Sequence, residues 1–170
     1  MMNQMSKAYR FDQQGLVGAQ GEQILDEWLS ESYKILNVSD IKLYQESGID
    51  RILMRPDGTT VKVEYKFDLA SSRTGNLFFE TVSVDRRNVP GWGWSSQADY
   101  WIFLLPSMEV LVVEPSRLRT LAWQYREKLV DKEIQNLGYK TIGIAIPLKQ
   151  VRAIARCVKE LCQQELLAAV

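Results

Sequence analysis

The chain of 170 residues contains no histidine. That excludes serine–histidine and cysteine–histidine nucleophiles and any imidazole general base. Only two cysteines occur, Cys157 and Cys162. With no histidine beside them, a zinc site is not expected. They stand five apart on a predicted helix, where their side chains diverge and would not bridge. No apolar run approaches membrane-spanning length, and no secretory leader is visible, so a reducing cytoplasm is the expected location. Neither sign of charge is in excess. Lysine plus arginine and aspartate plus glutamate each number 21, which argues against a generic nucleic-acid coat but leaves room for a local basic patch. There are no internal repeats and no low-complexity linker. Any catalysis has to run on carboxylates, lysine, tyrosine or a metal.

What is present is an ordinary globular composition, 46 % hydrophobic and 25 % charged, at a length suited to one domain over residues 1–170. The acidic excess lies before Trp101 and the basic excess after it. The most informative stretch runs from Gly48 to Lys66. Pro56-Asp57-Gly58 is a turn signal, because proline presets φ and glycine accepts φ > 0. After it Val61, Val63, Tyr65 and Phe67 alternate with Lys62, Glu64, Lys66 and Asp68, the period of a half-buried strand. Before it Ile52, Leu53 and Met54 read as the antiparallel partner. Folding the hairpin about Asp57 sets Asp50 opposite Glu64, at a cross-strand Cβ separation of about 4.5–5.5 Å. Lys66 follows on the same face.

Two facing carboxylates repel, and a hard divalent cation is one reason to keep them. Mg²⁺ takes oxygen ligands, often one or two carboxylates plus substrate phosphate. The Tyr65 carbonyl, between the two acidic positions, would add a third oxygen, and Lys66 would orient a water or stabilise charge on a phosphate. The alternative is a surface hairpin whose charged face is solvated, with Lys66 neutralising its neighbours.

Asp50 followed by Glu64-Tyr65-Lys66 resembles the core motif of the PD-(D/E)XK nuclease superfamily, which includes restriction endonucleases, Holliday-junction resolvases and many phage and repair nucleases. Ile49 stands where that motif nominally has proline. A longer pattern, Glu64, Lys66, Asp68, then Thr74-Gly75-Asn76, then Glu80, is similar to a subgroup common in phages and prophages. Gly91-Trp92 followed by Ser96-Gln97-Ala98-Asp99-Tyr100-Trp101 has the same likeness, which spans residues 15–113. It implies a helix, a three-stranded meander, another helix or turn, and a further strand. It also implies Asp50 and Glu64 as metal ligands with the Tyr65 carbonyl, Lys66 as a catalytic group, and Glu22 as an acidic residue beside the metal. Glu80 is a weaker ligand candidate.

Elsewhere a helix is predicted over Phe11–Ser32, with Asp12 as N-cap, an apolar stripe of Leu16, Val17, Ile24, Leu25, Trp28 and Leu29, and two glycines, Gly18 and Gly21, that permit close approach. Glu22 borders that stripe, so spacing fits either a surface pair or a group aimed at the hairpin. A strand over Tyr33–Val38, a polar link Ser39–Ser47, a loop Ser71–Asn76 and a strand Leu77–Val84 follow. Asp85–Ser96 reads as a loop in which Arg86 and Arg87 would contact phosphate while Trp92 and Trp94 stack on bases or cover the sheet edge. Arg73 and Asn76 join them as nucleic-acid candidates, and Arg51, Arg55 and Arg73 form a second basic group. Strands are predicted at Tyr100–Leu105, Glu109–Val113 and Ile142–Ile146, a helix at Pro115–Asp131 with Arg117, Arg119 and Arg126 outward, and a long amphipathic helix from Leu148 onward.

The expectation is an α/β, restriction-endonuclease-like domain, with a mixed central sheet flanked by helices, a core over about 11–113 and a C-terminal helical extension over about 114–170. Its expected activity is Mg²⁺- or Mn²⁺-dependent hydrolysis of DNA phosphodiesters, without a membrane, and as a homodimer if paired strands are cut. A silent DNA-binding or assembly protein of the same fold and an RNA-directed nuclease are the alternatives.

Overall fold

The turn at Pro56-Asp57-Gly58 sets the register of everything around it. Arg55 N–H donates to Thr59 O at 2.8 Å, Gly58 takes φ +83°, and the Asp57 carboxylate accepts from the Thr59 amide and hydroxyl at 2.8 and 2.7 Å. In the computed structural model, which describes residues 18–126 and 131–161, β2 (Arg51–Met54) therefore pairs antiparallel with β3 (Thr60–Phe67), Arg51 against Val63. Extended one step, that register sets Asp50 against Glu64, as the sequence implied.

β1 (Lys34–Asn37) completes a meander on the outer side of β2. On its other side β3 pairs in parallel with β6 (Tyr100–Leu104), which continues antiparallel into β7 (Glu109–Val113). The last strand, β10 (Cys157–Glu160), closes a six-stranded mixed sheet of order β1-β2-β3-β6-β7-β10. One face is covered by α1 (residues 18–30), whose Leu25 and Leu29 pack on Leu53, Val63, Tyr65, Ile102 and Val110. The domain is thus mixed α/β with a mixed central sheet flanked by helices.

The other face carries a second layer that the sequence did not suggest. β4 (Asn76–Val84) and β9 (Lys140–Pro147) pair antiparallel and, with β5 (Val89–Pro90) and β8 (Lys132–Gln135), make a separate four-stranded sheet. Its inward residues Leu77, Phe79, Ile144 and Ile146 meet Trp101, Phe103, Leu111 and Val113 of the central sheet. Thr81 is an extra residue between Glu80 and Val82, a bulge that interrupts the alternation of side chains along β4. Helices α5 (Pro115–Arg126) and α6 (Leu148–Ile154) fill the same layer through Leu118, Leu121, Leu148 and Val151.

Three more expectations change. The polar link holds a short helix, α2 (Lys42–Glu46), and the loop after β3 holds another, α3 (Ser71–Thr74). The long C-terminal helix stops at Ile154. The chain turns into β10 because β7 offers an open edge: Arg156 N–H donates to Val112 O at 2.8 Å and Leu161 N–H to Met108 O at 3.0 Å. Edge pairing outweighs the helical spacing of Val151, Ile154 and Val158, and Val158 is left exposed. Cys157 is thus on a strand, not a helix. Asp12, Leu16, Val17 and Cys162 lie outside the described residues.

The two glycines of α1 differ in their surroundings. A methyl group on Gly21 would overlap the Phe67 ring, whereas one on Gly18 meets nothing within 4 Å. Gly21→Ala is expected to destabilise by about 1–3 kcal/mol through overpacking. Gly18→Ala is expected to be neutral or to stabilise by up to about 1 kcal/mol, from helix propensity. Urea unfolding of the two variants measures both, and equal midpoints would contradict the packing described.

Candidate active site

β3 is longer than its partner. β2 begins at Arg51, opposite Val63, so on that side the edge of β3 from Glu64 to Phe67 has no strand beside it. Asp50 turns its carboxylate into this gap, where Oδ2 accepts the Tyr65 amide at 2.7 Å. The N–H and C=O of one strand residue point to the same edge, so the Tyr65 carbonyl faces the Asp50 side as well. This gap lies towards the carboxyl end of the central sheet's one parallel pair.

The face of β3 that carries Glu64 and Lys66 is not solvated, because the second layer covers it. Glu64 is 5 % exposed. Its Oε1 is in contact with the Lys66 ammonium. Its Oε2 is buried and, among the described residues, has no hydrogen-bond partner. That oxygen lies in a cradle built by Gly48 and Ser96. Gly48 has φ +62°, and a Cβ there would come within 3.2 Å of both Glu64 Oε2 and the Ser96 backbone. The Ser96 hydroxyl has one proton and two acceptors in reach. It donates to Gly48 O at 3.3 Å while accepting the Trp101 indole N–H at 2.9 Å, which leaves Glu64 Oε2 orphaned.

Lys66 is gripped from a second side. Its ammonium lies 4.9 Å from the centre of the Trp92 ring, a favourable cation–π placement. Trp92 opens the single-turn helix α4 (Trp92–Ser95) and packs edge-on against Phe79 and Trp101 at 5.4 and 5.0 Å. Arg119, expected to point outward, instead donates to Gly93 O and Ser96 O at 2.8 and 2.6 Å and holds the α4 turn against the site. A single-turn helix leaves carbonyls without intrahelical partners, and Arg119 supplies donors to them.

Both carboxyls are pushed above their ordinary range. For Asp50 burial is the main cause, opposed by the Tyr65 amide and Lys66, with the charge of Glu22 adding to the rise. For Glu64 burial again dominates, opposed by Lys66, with the charge of Asp50 adding to the rise. The charge of Asp50 therefore reaches Glu64, as the hairpin register requires.

Glu22 points at the hairpin. Its Oε2 accepts from Arg51 Nη2 at 2.7 Å, and Asp26, one turn later, takes the Arg51 Nε at 3.0 Å. Arg51 is 2 % exposed and cannot belong to a surface basic group. It follows Asp50 in the strand, so it projects to the α1 face, where it also reaches the Asp50 carbonyl at 3.1 Å and Asn37 Oδ1 at 3.0 Å. The Tyr65 hydroxyl donates to Asp26 Oδ1 at 2.8 Å. Sequence reasoning missed the roles that Asp26, Arg51, Ser96 and Arg119 play at the site. Only Asp26 carried a local signal, one turn from Glu22 on the same helix.

The remaining candidates are spread out. Glu80 lies across a cleft from Lys66 and accepts the Trp92 amide at 3.3 Å. It does not join the two acids, and among the described residues no three acidic or sulfur side chains converge as a metal cluster. Asp68 ties loop to strand, accepting from Ala70, Ser71 and Phe78 amides at 3.1, 3.1 and 2.8 Å. Asn76 donates to Thr74 O at 2.8 Å, and Arg73 is exposed on α3. The predicted Asp85–Ser96 loop is a 3₁₀ turn, Asp85–Arg87, then β5 and α4. Arg86 and Arg87 are exposed at the far end of β4, about 13 Å of strand beyond Glu80. Trp94 packs on Phe79 at 5.1 Å with one side open.

The donor set of Asp50, Glu64 and the Tyr65 carbonyl is all oxygen, and one buried carboxylate oxygen in it lacks a partner. That fits a hard divalent cation. No family model matches the chain, and comparison with curated proteins and with solved structures gives no match either.

In metal-free protein the raised acids set a pH dependence. A carboxyl with a raised folded pKa favours folding below its unfolded pKa and loses that contribution as pH rises through the folded value. Asp50→Asn keeps an oxygen for the Tyr65 amide and removes the charge. Its stability relative to wild type in chelator is expected to be unchanged or lower at acid pH and to rise above wild type towards pH 7. Urea midpoints across that range measure it. A variant less stable than wild type at pH 7 would contradict the assignment.

Proposed function

We propose that the protein is a divalent-metal-dependent endonuclease that hydrolyses DNA phosphodiesters, on a restriction-endonuclease-like core. The observation that carries this reading is the buried Glu64 carboxylate, with one oxygen on Lys66 and the other unpartnered, opposite Asp50 at the open edge of β3. The order helix, three-stranded meander, helical turn and parallel strand, traced by α1, β1-β2-β3, α4 and β6, supports the resemblance read from the motif.

Asp50, Glu64 and the Tyr65 carbonyl would hold Mg²⁺ or Mn²⁺. The ion would lower the pKa of a bound water and neutralise charge on phosphate. Lys66 places a cation beside the scissile group, where it orients the attacking water or stabilises charge that develops on the phosphoryl oxygens. Trp92 restrains that ammonium and shields it from bulk water, which strengthens its interaction with charge. Glu22 is held by Arg51 next to Asp50 and belongs to the outer acidic shell. Arg86, Arg87 and Arg73 are exposed cations suited to phosphate contacts away from the reacting group.

A second reading has one observation in its favour. The Lys66–Glu64 contact already pairs the buried carboxylate without a metal ion, which a silent DNA-binding protein would tolerate. Incubation with supercoiled plasmid, linear duplex, single strands and a four-way junction, with Mg²⁺, Mn²⁺ or chelator, separates the two. Metal-dependent cutting is expected, and Lys66→Ala is expected to lower its rate by about 10²-fold or more while Mn²⁺ still binds. Wild-type cutting by that variant would make Lys66 a structural counter-ion. No cutting of any substrate with either metal would overturn the nuclease reading.

A further inference from the structure

Beside Lys66 the carboxyl end of β3 opens into a cleft of about 620 Å³, between the start of α1 and the second sheet. Its walls are Phe67, Leu69, Phe78 and Trp92, with Lys66 and Glu80 as the charged groups at hand. The carboxylate of Asp68, which also borders it, is taken up by three backbone amides. Among the described residues Lys66 is the cleft's single cation, and it is engaged by Glu64 and Trp92.

A phosphate backbone binds through several cations. This cleft offers aromatic surface instead. Unpaired bases stack on aromatic side chains, whereas paired bases in a duplex expose only their edges. Glu80 adds a directional acceptor. Its Oε1 takes the Trp92 amide, and among the described residues no donor engages Oε2, which is left for an amino group. Because Lys66 is both the proposed catalytic cation and part of the cleft wall, the cleft is continuous with the reacting centre.

The geometry points to an unpaired, amino-bearing nucleobase as the occupant of this cleft, so that the protein acts next to unpaired nucleotides in preference to intact duplex. Phe78 and Trp92 supply the stacking surface, and Glu80 accepts from the exocyclic amine of adenine, cytosine or guanine, whereas thymine has no exocyclic amine and offers only its ring N3–H. This inference rests on the nuclease reading above, and it names the substrate class of that site.

The test uses the full chain and a fluorescein-labelled duplex in three forms: fully paired, with three unpaired adenines, and with three unpaired thymines. Cleavage is followed in Mg²⁺ and binding by anisotropy in Ca²⁺. The adenine form is expected to be cut and bound at least about fivefold better than the paired form, the lower end of what stacking one base supplies, with thymine between them. Phe78→Leu keeps an apolar side chain beside Gly143 but removes the ring, and it is expected to abolish the preference. Glu80→Gln, which retains an oxygen for the Trp92 amide, is expected to narrow the gap between adenine and thymine. Equal cutting and binding of paired and unpaired forms, or a preference that survives Phe78→Leu, would overturn the cleft inference while metal-dependent cutting stands. No cutting but tighter binding of the adenine form, lost in Phe78→Leu, would support the cleft and remove the nuclease reading. No binding of any form would overturn both.

Discussion

A carboxylate buried between two sheets is the constraint on which the site depends. Glu64 faces the second layer, and burying a charge there is costly unless it is paired and hydrogen-bonded. Lys66 satisfies one oxygen, and among the described residues nothing donates to the other. The surroundings are arranged to keep this state. Gly48 brings its backbone against the orphan oxygen, Ser96 commits its proton to Gly48, and Arg119 secures the turn that carries Ser96. Trp92 holds Lys66 from above. Each of these contacts confines Glu64 without completing its hydrogen bonding.

The opposite face of the same hairpin holds Asp50 in place. Side chains alternate along a strand, so Arg51 and Tyr65 turn towards α1 while Asp50 and Glu64 turn away. Arg51 draws Glu22 and Asp26 onto the hairpin, and Tyr65 reinforces Asp26. Through its bond to the Asp50 carbonyl, Arg51 also anchors the main chain at the acid itself. Helix, hairpin and acid pair are one connected ionic unit, and the close approach of Gly21 to Phe67 seats the helix at the required distance.

Much of this was legible. Pro56-Asp57-Gly58 and the alternation after it are local signals, and they were enough to set Asp50 against Glu64. The stripe of Leu25 and Leu29 in α1 and the buried run Tyr100–Leu105 were likewise readable. The second sheet was not, because β4 and β9 are separated by more than fifty residues and nothing local says which strand edge each will meet. For the same reason the charged face of β3 was read as half solvated, when Phe79 and Trp92 in fact roof it. β10 was misread because Val151, Ile154 and Val158 happen to fit a helix, while the free edge of β7 decides the outcome. Arg51 looked like a surface cation until the fold placed two carboxylates beneath it.

The central claim is that Asp50 and Glu64 form a divalent-cation site. Calorimetric titration of the wild type and of an Asp50→Asn, Glu64→Gln double variant with Mn²⁺, at neutral pH and with folding verified by circular dichroism, tests it most directly. The account predicts saturable binding by the wild type and its loss, or a weakening of at least about tenfold, in the double variant. Equal binding by the two folded proteins would contradict it.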